Sequence, residues 1–383
     1  MKILYHHRVG SRDGQAVHVD EIVSALRALG HEVAIVAPPG FERSSFGGRS
    51  APIELVRRNL PGVAYEVIEL FYNASTYLRL RRALRKERPD VIYERYGLFL
   101  FAGVLASRRR GVPLLLEVNS PLAQERRAFG GLALSGVARR IEKYVWRGAS
   151  HVLPVSNVLA DMVRAAGVPA ERVTVIRNGI ALDRFAPADS RAAKARIGLE
   201  DKIVLGFAGF MRAWHGLDDV IDLLARPDAP RSLHLLVVGD GPARPDLMAK
   251  TARLGIQDRV TFTGLVERNA IADYVGAFDI ALQPKAVAYA SPLKLFEYMA
   301  LGKAIVAPDQ PNIREVLRRD IDALLFDPGR PADMAAMVFR LAADGALRAR
   351  LGAAARATIV ERRLTWRDNA ERIAAIAARA AVP

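Results

Sequence analysis

Residues 1–39 read MKILYHHRVGSRDGQAVHVDEIVSALRALGHEVAIVAPP, and their pattern decides the fold class. Lys2–Tyr5 is a short apolar run of strand length, and a loop with Gly10 and Gly14 follows. Val19, Ile22, Val23, Leu26 and Leu29 then repeat at helical spacing within His18–Leu29. Gly30 is a stop signal for that helix. Glu32–Ala37 is apolar again and is closed by Pro38-Pro39. Strand, loop, helix and strand in that order form the opening unit of a doubly wound sheet.

The rhythm continues outward. Strands are expected at Val91–Tyr93, Leu114–Val118, His151–Val155 and Val173–Ile176, with helical stretches between them. Asp183–Glu200 is polar and Ala-rich, with Pro187 and Gly198, and its start reads as a linker. A second set of strands follows at Ile203–Ala208, Leu233–Val238, Val260–Thr263, Ile280–Leu282 and Ala304–Ala307. The tail from Ala332 is Ala/Arg-rich and helical, broken near Leu364–Trp366. The reading is an α/β chain of two facing Rossmann-like domains, 1–183 and 184–360, with a cleft between them. A closing helix over 361–383 is expected to pack back on the first domain. Ligands of such folds bind at the C-terminal ends of the strands.

The length of 383 residues suits about two domains. With 51% hydrophobic and 25% charged residues, the chain is not a disordered, collagen-like or low-complexity polymer. The absence of cysteine excludes disulfides, Cys-ligated zinc, iron–sulfur clusters and thiol catalysis. Met1–His7 lacks the apolar core of a signal peptide, and runs such as Leu98–Ala106 fall short of the roughly 18–20 residues that cross a bilayer. These features predict a cytoplasmic protein.

The formal net charge is +15 and it is unevenly spread. Residues 79–147 alone hold 16 basic and 6 acidic side chains, including Arg79, Arg81, Arg82, Arg85, Lys86, Arg108–Arg110, Arg126, Arg127, Arg139, Arg140 and Lys143. An anionic membrane surface and plain solubility both account for such a face. Nucleic acid does not, because aromatic–basic interleaving, zinc fingers and helix-turn-helix signatures are all missing.

No Walker loop, dinucleotide fingerprint, paired-histidine protease motif or nucleophile elbow occurs. Asp320-Ile-Asp322 has the form of a metal-binding carboxylate pair, though it lies late in the second domain. The strongest constellation is Ser291-Pro-Leu-Lys-Leu-Phe-Glu-Tyr-Met-Ala-Leu-Gly302, which follows the strand Ile280–Leu282. A helix beginning near Pro292 aims free backbone N–H groups and the positive end of its dipole at the strand ends, a geometry that suits a diphosphate. Lys294 adds a cation in the first turn, and Glu297 could accept hydrogen bonds from sugar hydroxyls. A solvated Lys294–Glu297 helical pair is the plainer alternative.

This stretch resembles the nucleotide-sugar site of glycosyltransferase family 4, retaining enzymes of the GT-B fold. Other segments agree in order: Gly14-Gln-Ala-Val-His18, Gly30-His-Glu-Val33, Pro89-Asp-Val-Ile-Tyr-Glu-Arg95, Val155-Ser156, Ile176-Arg-Asn-Gly-Ile180, Gly209–Gly216, Val237-Val-Gly-Asp-Gly-Pro242 and Val260–Gly264. The resemblance spans essentially the whole chain. It implies that Glu297 binds ribose hydroxyls, that Ser291, Pro292, Leu293 and Lys294 bind the diphosphate, and that Gly14 approaches the phosphates. It places Gly209 in the phosphate loop, and Gly239, Asp240, Gly241 and Val266 around the base and nucleoside. It implies no bound metal and no cofactor, the nucleotide sugar (UDP-, GDP- or dTDP-linked) being a substrate. Cations and amides must then neutralise the leaving diphosphate.

Three departures stand out. Tyr289 occupies the position of the family's first paired glutamate, which normally touches the donor sugar. In the phosphate loop Phe210 follows Gly209, Arg212 is displaced by two, and His215 holds the place of a lysine. Asn119, with Glu117, stands where many relatives carry a histidine near the reaction centre; it either orients a substrate or is a buried polar strand end. The function expected is retaining sugar transfer from a nucleotide sugar to a hydroxyl of a glycan or lipid-linked acceptor, by a protein peripheral to the inner face of the membrane. The catalytic set is Arg212, His215, Lys294, Asn119 and Glu117. A nucleotide-sugar epimerase and an inactive sugar-nucleotide-binding protein are the alternatives.

Overall fold

The structure is a computed structural model and describes residues 1–10, 14–38, 60–186 and 189–381. Pro39, Pro187 and the centre of the Gly10–Gly14 loop lie outside the described residues. The chain divides into two compact units. The first comprises Met1–Arg177, Tyr289–Ser291 and Trp366–Pro383; the second comprises Asn178–Ala288 and Pro292–Thr365. The division thus falls at Arg177 and Trp366, where the sequence reading sets 183 and 361.

The first unit is built on a parallel sheet of β1 (Lys2–His6), β2 (Glu32–Val36), β3 (Val91–Arg95), β4 (Leu114–Val118) and β5 (His151–Pro154), in the order β2-β1-β3-β4-β5. β3 and β4 are buried along their whole length, as a parallel sheet covered on both faces requires. The sequence expects a further strand at Val173–Ile176. Instead that segment runs beside β5 with one bridge, Val152 to Val173, and with Thr174 and Ile176 donating to Val152 and Pro154 carbonyls. Pro154 has no N–H to return, so the ladder does not propagate.

Helix Gly62–Glu87 turns Glu66, Asn73 and Thr76 inward in its first two-thirds, followed by Leu80 and Leu84. Glu66 accepts from the Ala133 and Leu134 N–H groups at 2.9 and 2.6 Å, at the start of helix Ser135–Gly148. Asn73 Oδ1 accepts from the Phe101 and Ala102 N–H groups at 2.9 and 3.0 Å, at the start of helix Ala102–Arg110. Two helix N-termini are satisfied by a third helix. The last helix, Trp366–Ala381, also belongs to this unit. The Trp366 ring meets the His18 ring edge-on at 4.9 Å, and Asn369 Nδ2 donates to the Arg177 carbonyl at 2.7 Å.

The second unit carries six parallel strands: β6 (Ile203–Ala208), β7 (Leu233–Val238), β8 (Val260–Phe262), β9 (Ile280–Leu282), β10 (Ala304–Pro308) and β11 (Ala323–Phe326). Their order is β11-β10-β9-β6-β7-β8. Alternate side chains feed opposite faces. Val204, Leu236, Ala281 and Ile305 enter one core, while Leu205, Leu235, Leu282 and Val306 enter the other. The order reverses between β6 and β9, and the loops leaving those two strands carry the residues singled out above.

Candidate active site

In the second unit, the loops after β6 and β7 are locked backbone to backbone. Met211 N–H donates to the Asp240 carbonyl at 2.8 Å, and Gly209 N–H to Val238 at 2.9 Å. A Cβ on Gly239 would overlap the Gly209 carbonyl, and one on Gly241 would overlap the Met211 backbone. These glycines are therefore required for close approach of main chain to main chain. Asp240 Oδ1 accepts from the Gly241 N–H at 2.8 Å, which makes this side chain a builder of its own loop. Val266 packs against one core face.

Helix Leu293–Ala300 begins at Pro292 with no side-chain cap. It is anchored from below: the Tyr298 hydroxyl accepts from the Ala208 N–H at the end of β6, at 2.9 Å. In its first turn, Lys294 lies against Gly209, whose ideal Cβ position is 3.6 Å from Nζ, and the ammonium sits 3.9 Å above the Phe207 ring. Desolvation lowers the Lys294 pKa to about 7, with Glu297 one turn on opposing the shift. The side chain keeps some accessible surface, so the depression comes from crowding by Phe207 and the glycine loop rather than from complete enclosure.

His215 ends the same loop. Its Nδ1 accepts from the Arg212 N–H at 3.3 Å, which assigns the ring proton to Nε2. Burial, then the Lys294 and Arg212 charges, pull its pKa down to about 3. The His215 ring is thus neutral in the ligand-free protein, unlike the lysine whose place it holds. Arg212 supplies a fixed cation, its guanidinium stacked on Phe210 at 5.0 Å and Trp214 at 4.8 Å. Gly209, Arg212, His215, Gly239, Asp240, Gly241 and Lys294 therefore converge on one locus, with Glu297 beside it.

The first unit gathers a different set. Glu117, at the end of β4, is 2% exposed. It accepts from Tyr93 Oη at 2.8 Å, Arg95 Nη1 at 2.5 Å and Asn119 Nδ2 at 2.5 Å, and His18 Nε2 lies 2.9 Å away. Burial alone would raise its pKa, but His18, Arg95 and these hydrogen bonds hold the carboxyl well below the usual carboxylate range. Its oxygens are engaged by these four partners, and the sequence reading sets it among the catalytic groups. It ties Asn119 to His18, on the helix Gly14–Ala28 that opens at Gly14. His18 and Arg95 sit inside quoted motifs, yet nothing in their spacing showed that they share one carboxylate.

Tyr289 and Ser291 are organised by the first unit, whereas Pro292, Leu293, Lys294 and Glu297 belong to the second. The Tyr289 hydroxyl donates to Glu125 Oε2 at 2.8 Å, and its carbonyl accepts from Ser156 Oγ at 2.7 Å. Burial and Glu125 push the Tyr289 phenol pKa far up, so it stays a neutral donor. Asp322 is not available to a metal: it is fully buried and paired with Arg318 at 2.8 Å and the Thr358 hydroxyl at 2.9 Å. Among the described residues, no cluster of three or more His, Asp or Glu could hold a metal ion.

Residues 13–179 match the model of the glycosyl transferase 4-like domain, and residues 202–344 that of glycosyl transferases group 1. D-inositol 3-phosphate glycosyltransferase 2 of Catenulispora acidiphila is 30% identical over 79% of this chain and 76% of its own length. Alpha-D-kanosaminyltransferase of Streptomyces kanamyceticus is 28% identical, over 85% of this chain and 89% of that protein. Anabaena HepE, crystallised with UDP, superposes with a TM-score of 0.77 at 21% identity, covering 98% of this chain and 99% of that one. Two parallel-sheet units with this likeness define a glycosyltransferase of the GT-B fold. The chain belongs to glycosyltransferase family 4.

Proposed function

We propose that the enzyme transfers its sugar with retention and without a resident metal or cofactor, using a UDP-, GDP- or dTDP-linked donor held by the second unit. The observation that carries this reading is the Lys294 ammonium, packed against Gly209 at an uncapped helix start beside Arg212 and the His215 donor. Backbone amides, two cations and a neutral N–H suit a leaving diphosphate. Glu297 takes the ribose hydroxyls. The acceptor oxygen attacks the anomeric carbon as the bond to the β-phosphate oxygen breaks, and that oxygen takes the acceptor proton on the same face. Asn119, set by Glu117, and the Tyr289–Glu125 pair orient hydroxyls of sugar or acceptor. The acceptor is a glycan or a lipid-linked glycan, and the basic first unit brings the enzyme to an anionic membrane surface on the cytoplasmic side.

The test is a donor panel, with UDP-sugars first because HepE is crystallised with UDP and with UDP-glucose. Binding to the native state alone raises melting temperature. Lys294→Met should reduce the shift produced by the preferred donor, and product anomer analysis should show retained configuration. An inverted product, or an undiminished shift in Lys294→Met, overturns the reading.

A further inference from the structure

The outward stripe of helix Gly62–Glu87 has an unusual makeup. An amphipathic helix docked on a domain ordinarily turns its apolar side inward. Here Glu66, Asn73 and Thr76 are buried ahead of Leu80 and Leu84, while Val63, Ile68, Phe71 and Leu78 are 50%, 50%, 75% and 52% exposed. Val67 and Ala74 lie on the same outward side. One turn further the side becomes basic, with Arg81, Arg82, Arg85 and Lys86 all exposed. Arg79 is not part of it, because its guanidinium is held by the Ala37 carbonyl and the Tyr72 hydroxyl. Glu66 and Asn73 cap two other helices, so the helix cannot rotate to hide its apolar side without losing those bonds.

We infer that this stripe is a bilayer-docking face: its first half enters the acyl boundary and its second half meets anionic headgroups. The charge next to the apolar segment selects the occupant, since an apolar surface continued by four cations matches an anionic lipid interface. The inference rests on the membrane reading above and adds to it a definite insertion surface. Left uncovered in water, an exposed apolar patch of this kind would be a liability.

Two variants test it in the full-length protein. Phe71→Ser with Leu78→Ser should reduce partition onto phosphatidylglycerol-containing vesicles by about tenfold or more, the loss expected from two apolar side chains. The residual binding should remain salt-sensitive, and the variant's melting temperature should match the wild type because both side chains are exposed. Phe71→Trp should show blue-shifted emission on vesicle addition and quenching by brominated lipid. If the wild type binds anionic vesicles but the serine variant binds equally well and the tryptophan does not shift, the stripe is overturned while surface attraction stands. If the wild type does not bind at all, both readings fall. A concentration-dependent dimer, lost in the serine variant with vesicle binding unchanged, would instead give the face to a second copy of the chain.

Discussion

Lys294 links binding to stability through one proton. Its pKa is about 7 in the folded protein against an ordinary 10.5, so between those values the unfolded chain binds more protons and stability rises with pH. Below about pH 7 the folded protein carries the desolvated charge at full cost. Lys294→Met should therefore raise the melting temperature of the empty enzyme below pH 7, and the gain should shrink as pH climbs toward 10.5. The same variant should lose nucleotide affinity, and so should Glu297→Ala. A charge-assisted hydrogen bond of about 1.5–3 kcal/mol is roughly ten- to hundredfold, readable by calorimetry. A diphosphate favours the charged lysine, so affinity should fall as pH rises above about 7 and Lys294→Arg should flatten that fall. His215→Gln should leave the profile's shape unchanged, because the imidazole is already neutral above about pH 3. The sequence showed that a lysine stood at a helix start. It could not show that Phe207, from a distant strand, sits beneath the ammonium and shifts it, nor that burial keeps the His215 ring neutral in the ligand-free protein.

At the scale of elements, a continuous apolar run is a local property, and the second unit's strands over 203–208, 233–238 and 280–282 lie where such runs put them, buried over almost their whole length. Two elements depended on partners far along the chain. The Val173–Ile176 segment fails as a strand because its neighbour ends in Pro154, and helix Gly62–Glu87 turns polar residues inward because two other helices need acceptors. The Glu117 network is another such case, joining β3, β4 and helix Gly14–Ala28 at one carboxylate. Glu117→Ala should cost about 3–5 kcal/mol in urea unfolding, because it leaves Arg95 buried without its partner. Trp366→Ala should cost a comparable ~3–5 kcal/mol, since the ring is buried against His18.

On the scale of the whole molecule, the first unit is discontinuous: its closing helix is separated from Arg177 by the whole of the second unit. A fragment ending near residue 183 should melt below the first unit of the intact protein, and a peptide of residues 361–383 added in trans should raise its melting temperature. Equal stability with and without the peptide would show that the helix is dispensable. The family match covers both units, so the two-domain class was legible early, whereas the three-part make-up of the first unit appears only in the contacts of Tyr289 and Trp366. That arrangement also sets a timetable for biosynthesis. Helix Gly14–Ala28 leaves the ribosome about 340 residues before Trp366 does, and at roughly 5–20 residues per second its partner arrives on the order of 20–70 s later. Throughout that interval the nascent chain lacks the Trp366 ring that packs on His18, and the first unit, though translated first, is the last to be completed.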